Sequence, residues 1–148
     1  MDHSKQIDRK TSASGRMPRG IRNYNPLNIE KGQNWQGLAA LQDDKRFCVF
    51  QDFYYGYRAA FRILMTYRKK GIRTVNDIVR RWAPSTENDT TGYIRSVLAY
   101  SGLLQYTTLA DHEYIALVAA MARVECGSVP DYEALAKAWI DNVRAKDE

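Results

Sequence analysis

The sequence predicts a mainly α fold with a small β element, and three observations support this prediction. Apolar residues recur with helical spacing in five segments after residue 55. Glycine or proline follows several of these segments, as at Gly71, Pro84, Gly102 and Gly127. The stretch from residue 21 to 53 is instead rich in Asn, Gly and aromatic residues without a sustained period, which indicates loops with short strands.

The first residues predict a tail rather than a folded element. The chain has 148 residues, enough for one domain with a sizeable core. Residues 1–18 are polar and lack the apolar stretch of a secretory signal, so we expect a flexible basic tail followed by one domain over residues 19–148. In the loop-rich stretch, residues 47–50 predict an edge strand, with Asp43 and Asp44 in the turn before it.

Five helices are predicted in order. The first starts near Tyr55, Thr74 caps the second, Asp89 or Thr90 starts the third, Asp111 starts the fourth, and the last begins near Ser128 and Pro130. Their apolar faces comprise Ala60, Ile63, Leu64 and Tyr67; Ile78, Val79 and Trp82; Tyr93, Ile94, Val97 and Leu98; Tyr114, Leu117, Val118, Met121 and Ala122; and Leu135, Ala138, Trp139 and Val143.

The distribution of charge limits the possible partners. The net charge is +5, but residues 1–22 carry +4 of it, which leaves the rest of the chain nearly neutral. A basic tail can bind nucleic acid or an anionic surface, or simply be solvated; with a nearly neutral folded part, we expect no nucleic-acid partner. The longest apolar run, Ile115 to Ala122, is far shorter than the roughly 20 residues that a membrane span needs.

Glu125 is the strongest candidate for a catalytic residue. It continues the apolar stripe of Tyr114, Val118 and Met121, and it lies in the last turn before Gly127. Partial burial and the negative end of the helix dipole both raise the pKa of a carboxyl group in such a place. A carboxyl group with a raised pKa can act as a general acid; an exposed Glu at a fraying helix end is the alternative.

The cysteines and histidines indicate neither a metal site nor a cofactor. Cys48 and Cys126 lack metal-ligand spacing, and His3 and His112 complete no cluster. A disulfide between the two cysteines remains open. We therefore expect no metal and no cofactor.

Three segments resemble one known family. RGIRNYNPLNI (Arg19 to Ile29) closely resembles the signature RGIRNNNPGNI, WAPSTENDTTGYI (Trp82 to Ile94) resembles WAPxxENDTxxYI, and ARVECG (Ala122 to Gly127) resembles HENG. These motifs occur, in this order, in phage-type peptidoglycan-degrading proteins of the lysozyme-like superfamily. The resemblance covers nearly everything after the tail and implies a lysozyme-like fold.

A more distant likeness concerns bacterial cell-wall glucosaminidases. They carry a helix that ends in a catalytic Glu, then an Asn-rich segment, then a late Tyr, whereas here the Asn-rich segment comes first and Glu125 last. This order implies a circularly permuted lysozyme-type arrangement, which is feasible because termini in compact domains often lie close together.

The sequence departs from the signature at three positions. Tyr24 replaces an Asn, Leu27 replaces a Gly, and Cys126 stands where Asn is usual. A Gly at position 27 suggests a positive φ that Leu tolerates poorly, so we expect the loop to differ in shape there.

The resemblance implies roles for several residues. Glu125 would be the general acid and base that cleaves a glycosidic bond. Glu87 and Asp89 are candidates for a second carboxylate, although Asp89 can equally cap a helix, and a lytic transglycosylase needs only one Glu. Tyr93 would orient water or steady positive charge on the sugar, or else belong to the core.

Substrate-binding candidates lie mainly in the first motif. Asn25 and Asn28 can hydrogen-bond N-acetyl groups or form turns, and Trp35 offers a flat face for a sugar ring. Trp82 and Trp139 lie on helical faces and are predicted to be core residues.

The predicted function is cleavage of peptidoglycan glycan strands by a lytic transglycosylase or a muramidase. The alternative is a catalytically inactive phage virion protein or cell-wall-binding protein. Without a signal peptide, we expect synthesis in the cytoplasm and action at the bacterial cell wall, reached by phage lysis, as part of a virion or through secretion machinery. The oligomeric state and the bond cleaved stay open.

Overall fold

The computed structural model describes residues 17–86 and 88–144, and these residues are mainly helical. Their helices, in chain order, are α1 (Arg19–Arg22), α2 (Phe53–Lys69), α3 (Val75–Trp82), α4 (Thr90–Ser101), α5 (Glu113–Cys126) and α6 (Tyr132–Trp139), which continues into a π-helical segment (Ile140–Arg144). The prediction of a mainly α fold is thereby confirmed. Most of the predicted tail and Glu87 lie outside the described residues.

The prediction of an edge strand over residues 47–50 is wrong. The β structure of the described residues consists of two isolated antiparallel bridges, Glu30 with Phe47 and Leu38 with Phe50. The reason is that the amide groups of this segment bond to scattered partners instead of one neighbouring strand. The amide of Cys48 donates to the carbonyl of Ile29, whereas that of Phe50 donates to the carbonyl of Asn23.

Helix ends follow the predicted capping chemistry in most places. The side chains of Thr74 and Asp89 accept hydrogen bonds from the third residue after each, and they cap α3 and α4. Gly102 and Gly127 end α4 and α5 in the left-handed conformation, with φ of 74° and 86°. Helix α3 ends at Trp82, two residues before Pro84.

Two predicted helix starts are too early. Helix α5 begins at Glu113, because the Asp111 carboxylate pairs with Arg68 at 2.7 Å instead of capping the helix. Helix α6 begins at Tyr132, because the side chain of Asp131 accepts a hydrogen bond from the amide of Ala134. Ser128 and Pro130 therefore belong to the connection between α5 and α6 and not to α6 itself.

Helix α5 lies at the centre of the apolar core. It packs against α4, α2 and α6, and α2 also packs against α6. Its predicted apolar face is fully buried, comprising Tyr114, Leu117, Val118, Met121 and Ala122. One hydrophobic cluster includes these side chains together with residues of the loop region such as Leu27 and Phe50. Among the described residues, no helix is both long and apolar enough to cross a membrane.

The prediction that Leu27 needs a positive φ is wrong. The non-glycine residues with positive φ in the described segments are Tyr24, Asn28 and Asp131, at 52°, 54° and 50°. Leu27 instead fills the core and is 1% exposed. The left-handed positions of the first motif thus fall on either side of residue 27, and Tyr24 occupies one that an Asn would adopt more readily.

Candidate active site

Three side chains donate hydrogen bonds to the carboxylate of Glu125. Asn28 Nδ2 lies 3.1 Å from Oε1, whereas Tyr93 Oη and Trp82 Nε1 lie 2.9 and 3.3 Å from Oε2. Glu125 occupies the last turn of α5 and is partly buried, as predicted. Each partner comes from a different element: the loop after α1, α4, and the end of α3.

The surroundings of Glu125 shift its pKa in opposing directions. Burial raises the pKa of this carboxyl group, while the hydrogen bonds from Asn28, Tyr93 and Trp82 and the charge of Arg46 lower it. The net pKa is raised, which is the predicted direction. A carboxyl group with a raised pKa keeps its proton to higher pH than an ordinary glutamate, which is what a general acid requires.

Asn28, whose backbone is left-handed with φ of 54°, contacts Glu125 through its side-chain amide. Its Nδ2 group also lies 3.4 Å from the carbonyl oxygen of Glu125, so the amide meets both the side chain and the backbone of the helix end. The Oδ1 atom is buried and has no hydrogen-bond partner in the described part of the chain. Gly20 lies beneath this amide, and a Cβ atom there would be 3.2 Å from Oδ1.

Tyr93 keeps its proton and therefore acts as a donor. Burial, the charge of Glu125 and the hydrogen bond to it together raise the pKa of Tyr93 well above its usual value. The hydroxyl group of Thr90, one turn earlier on α4, donates to the carbonyl of Ala83 and fixes the start of α4 against the end of α3. This contact places the phenol of Tyr93 and the indole of Trp82 side by side at Glu125.

Trp82 and Trp139 are both half-buried and pack against the core, as predicted, but Trp82 has a second role at the site. The ring of Trp82 is partly exposed, lines a cleft and donates to Glu125, so Trp82 is the site residue that sequence reasoning missed. Its place at the start of the WAP motif was the available signal. Trp139 packs against the core and donates to the carbonyl of Asp111.

An open cleft of about 440 Å³ is lined by Asn28 and Trp82, two of the three donors to Glu125. A loop wall and a helical wall formed by α2 and α3 enclose it, and both include a partner of Glu125. Trp35 lies in the loop wall, as its predicted contact with a sugar requires. The lining residues are Asn28, Ile29, Glu30, Lys31, Gly32, Gln33, Trp35, Ile63, Tyr67 and Trp82.

Asn25 does not line the cleft, which corrects its prediction as a substrate-binding residue. It is fully buried, and its Nδ2 group donates to the carbonyls of Ile29 and Cys48, each at 2.9 Å. Its Oδ1 atom accepts from the amide of Ile29. The side chain therefore holds the loop together, the alternative role that its residue type suggested.

Asp89, one of the two predicted second carboxylates, does not bond to Glu125 in the described structure. Asp89 caps α4 through the amide of Gly92, at 3.0 Å, and is exposed. Glu87 lies outside the described residues. The acidic residue in the cleft lining is Glu30, whose carboxylate pairs with Arg46 at 2.8 Å.

Both cysteines are buried free thiols. Cys48 Sγ contacts the carbonyl of Glu30, and Cys126 Sγ contacts that of Ser128. Burial raises the pKa of both thiols. Within residues 17–86 and 88–144, no three His, Cys, Asp or Glu side chains are grouped to hold a metal ion.

Comparison with known proteins connects the chain to a bacteriophage. No protein-family model matches it. The chain is similar to Protein P5 of Pseudoalteromonas phage PM2, with 42% identity over 117 residues that cover 76% of this chain and 73% of the phage protein. At this identity and coverage, the chain belongs to the family of that phage protein.

Proposed function

We propose that this protein cleaves the glycan strands of peptidoglycan, with Glu125 as general acid and base. One observation carries the proposal. The three segments that resemble phage-type peptidoglycan-degrading proteins are far apart in sequence, yet each supplies a member of the Glu125 site: Asn28 from the first, Trp82 and Tyr93 from the second, and Glu125 from the third. The phage relative agrees with a phage setting for this activity.

The first step is protonation of the leaving group. Glu125, in its protonated form, donates its proton to the glycosidic oxygen as the bond from that oxygen to the anomeric carbon breaks. The bonding electrons stay with the oxygen, which leaves as a hydroxyl group, and positive charge develops on the sugar ring. The three donors then stabilise the carboxylate that Glu125 has become.

The second step returns the proton to Glu125. The carboxylate removes a proton from a nucleophilic hydroxyl group as its oxygen bonds to the anomeric carbon. In a muramidase the nucleophile is water, and in a lytic transglycosylase it is the 6-hydroxyl of the same sugar. The lytic transglycosylase route needs only one carboxyl group. This fits a site in which Asp89 caps a helix instead of facing Glu125.

Asn28 is suited to both protonation states of Glu125. Its amide group carries donor hydrogens and an acceptor oxygen, and the oxygen has no partner in the described residues. In the present orientation the amide donates to the carboxylate. After rotation about its last bond, its oxygen would accept a hydrogen bond from the carboxylic acid.

The cleft supplies a place for the glycan strand. Trp35 and Tyr67 in its lining offer aromatic faces on which sugar rings can stack. The proposed partner is thus the glycan of the bacterial cell wall.

The test compares soluble fragments that wild type and Glu125→Gln release from purified peptidoglycan, identified by mass spectrometry. We expect the substitution to lower the rate by about 10²- to 10⁴-fold, because it removes the transferable proton. Glu133→Gln makes the same chemical change at an exposed position of α6 and should leave the rate unchanged. Fragments with 1,6-anhydro ends would identify a lytic transglycosylase, and reducing ends a hydrolase.

Two results would contradict the proposal. One is full activity of Glu125→Gln. The other is a folded wild type that releases nothing from walls of several species, which would favour an inactive virion protein or a cell-wall-binding protein.

A further inference from the structure

Charge is unevenly distributed along residues 23–148, although their net charge is only +1. Residues 53–82, which form α2, α3 and their connection, contain eight Lys and Arg side chains and one acid, a net charge of +7. Residues 83–148 contain ten acids and five bases, a net charge of −5. The two segments largely offset each other in the overall sum, so net charge alone does not reveal the basic segment.

Most of these cations lack an acidic partner among the described residues. Arg68 pairs with Asp111. None of the ion pairs in the described part of the chain involves any of six others, which we call the basic face: Arg62, Lys69, Lys70, Arg73, Arg80 and Arg81. All but Arg62 are exposed to solvent. Their charges therefore act together on anything that approaches α2 and α3.

The basic face borders the cleft beside Glu125. Ile63 and Tyr67 line the cleft, and Lys70 follows them on the same side of α2 at helical spacing. The guanidinium of Arg81 lies over the ring of Tyr67, 5.6 Å from its centroid. On the opposite wall, Lys31 belongs to the cleft lining.

We propose that the basic face binds the carboxylate-bearing stem peptides that hang from the glycan strand in the cleft. This inference rests on the proposed function, because it takes the strand as the occupant of the cleft. Stem peptides project sideways from the glycan at regular intervals and carry free carboxylates. A strand seated on Trp35 and Tyr67 would bring such carboxylates to Lys70 and Arg81, within the roughly 8 Å over which charges attract at physiological salt.

Three double variants distinguish the effect of charge at the cleft edge from that of charge elsewhere and of side-chain shape. Lys70→Gln with Arg81→Gln removes two cations beside the cleft. Lys45→Gln with Arg95→Gln removes two exposed cations outside α2 and α3. Lys70→Arg with Arg81→Lys keeps both charges and changes only their shape. Melting temperatures of the three variants show whether each is folded.

The assay measures binding of these variants to two glycan preparations. One consists of soluble strands that carry uncrosslinked stem peptides, and the other of the same strands after an amidase has removed the peptides. The full chain carries Glu125→Gln throughout, so that strands are not consumed.

We expect the cleft-edge double variant to bind peptide-bearing strands about three- to tenfold more weakly, as loss of two exposed charge contacts implies. Its binding to peptide-free strands should not change. The other two double variants should bind both preparations as the parent does, and added salt should abolish the difference.

Several outcomes would overturn the inference. The cleft-edge double variant could lose binding equally on both preparations, or lose no binding on either. It could also lose binding only to duplex DNA or anionic vesicles. Cleavage of peptide-free strands by wild type tests the proposed function on its own. If wild type cleaves them and the double variant binds normally, the inference fails while the proposed function stands. If wild type cleaves neither preparation, the proposed function fails regardless of binding.

Discussion

The loop region, residues 19–50, and the helical body, residues 53–144, are ordered by different kinds of interaction. Three of the five buried polar residues in the described structure, Asn23, Asn25 and Asp44, lie in the loop region. They bond to one another, to Arg19 or to loop backbone groups. The helical body instead buries rows of apolar side chains, above all on α2 and α5.

The difference matters because the candidate site lies where the two regions meet. Glu125, Trp82 and Tyr93 belong to helices, whereas Asn28 belongs to the loop region. Apolar burial depends on area and tolerates small shifts, but a hydrogen bond fails when its partner moves by an ångström. Changes in the helical body should therefore lower global stability, and changes in the loop region should disturb the site first.

The largest expected effect is on the helical body. Leu64→Ala removes a fully buried side chain from α2 and should lower the free energy of unfolding by about 2–5 kcal/mol. Urea denaturation, monitored by circular dichroism, measures this free energy of unfolding. Thr66→Ala, at an exposed position of the same helix, should change stability by less than about 0.5 kcal/mol. Equal effects of the two substitutions would show that α2 contributes no packed core.

The next largest effect tests the contact between the regions. A Cβ atom on Gly20 would lie 2.9 Å from the carbonyl oxygen of Asn25 and 3.0 Å from Cβ of Cys126. Gly20→Ala should thus push α1 away from α5, at a net cost of about 1–2 kcal/mol after the better helix propensity of Ala. The Asn28 bond to Glu125 should lengthen, which chemical shifts of the Asn28 side-chain amide would report. Unchanged shifts and melting temperature would contradict this close packing.

A smaller and local effect is expected at Asp44. This carboxylate accepts hydrogen bonds from Arg19 and Asn23 and from the amides of Arg46 and Phe47. Asp44→Asn removes its charge, and because Arg19 is half exposed the loss should be only about 1 kcal/mol. Hydrogen exchange should accelerate at the Arg46 and Phe47 amides but not in α5. Uniform acceleration would mean that the loop region and the helical body open together.

The same carboxylate gives the loop region an acid sensitivity. Burial acts to raise the pKa of Asp44, but the bonds from Arg19, Phe47, Arg46 and Asn23 outweigh it, and the pKa lies far below the 3.8 of an unfolded chain. The stabilisation that ionised Asp44 gives to the folded state is therefore present above about pH 4. It is lost progressively as pH falls below that value. In wild type the Arg46 and Phe47 amides should lose protection on acidification, whereas in Asp44→Asn they should change little.

The sequence predicted the helical body better than the loop region. Helical periodicity and capping residues such as Thr74, Asp89 and Gly127 are local signals, so the helices and their burial followed from them. The loop region depends on bonds between distant residues. No local pattern could show that Asn25 would be used internally or that positive φ would fall on Tyr24 and Asn28 instead of residue 27.

The candidate site was predictable in part for the same reason. Glu125 was found because a carboxylate interrupts an apolar stripe, which is a feature of a single helix. The helical spacing of Trp82 with Ile78 and Val79 predicts a core residue. No local pattern distinguishes an indole that only packs in the core from one that also donates a hydrogen bond to a carboxylate. The role of Trp82 depends on how α3 and α5 meet, which is tertiary information.

The smallest expected effect concerns the balance at Glu125. Tyr93→Phe removes one donor to the carboxylate and should move the pKa of Glu125 to higher pH, because that bond favours the charged form. A ¹³C NMR titration of the side-chain carboxyl measures this without relying on activity. Tyr100→Phe makes the same change at an exposed position of α4 and should leave the titration unchanged.

The stability of Tyr93→Phe should depend on pH in a defined direction. A carboxyl group whose pKa is raised on folding costs stability as pH rises through that pKa, and the cost is absent below the 4.5 of an unfolded chain. Tyr93→Phe raises the pKa of Glu125 further, so its loss of stability, about 0.5 kcal/mol, should be larger at pH 8 than at pH 4. A loss that is equal at both pH values would mean that the hydroxyl of Tyr93 stabilises the fold without acting through Glu125.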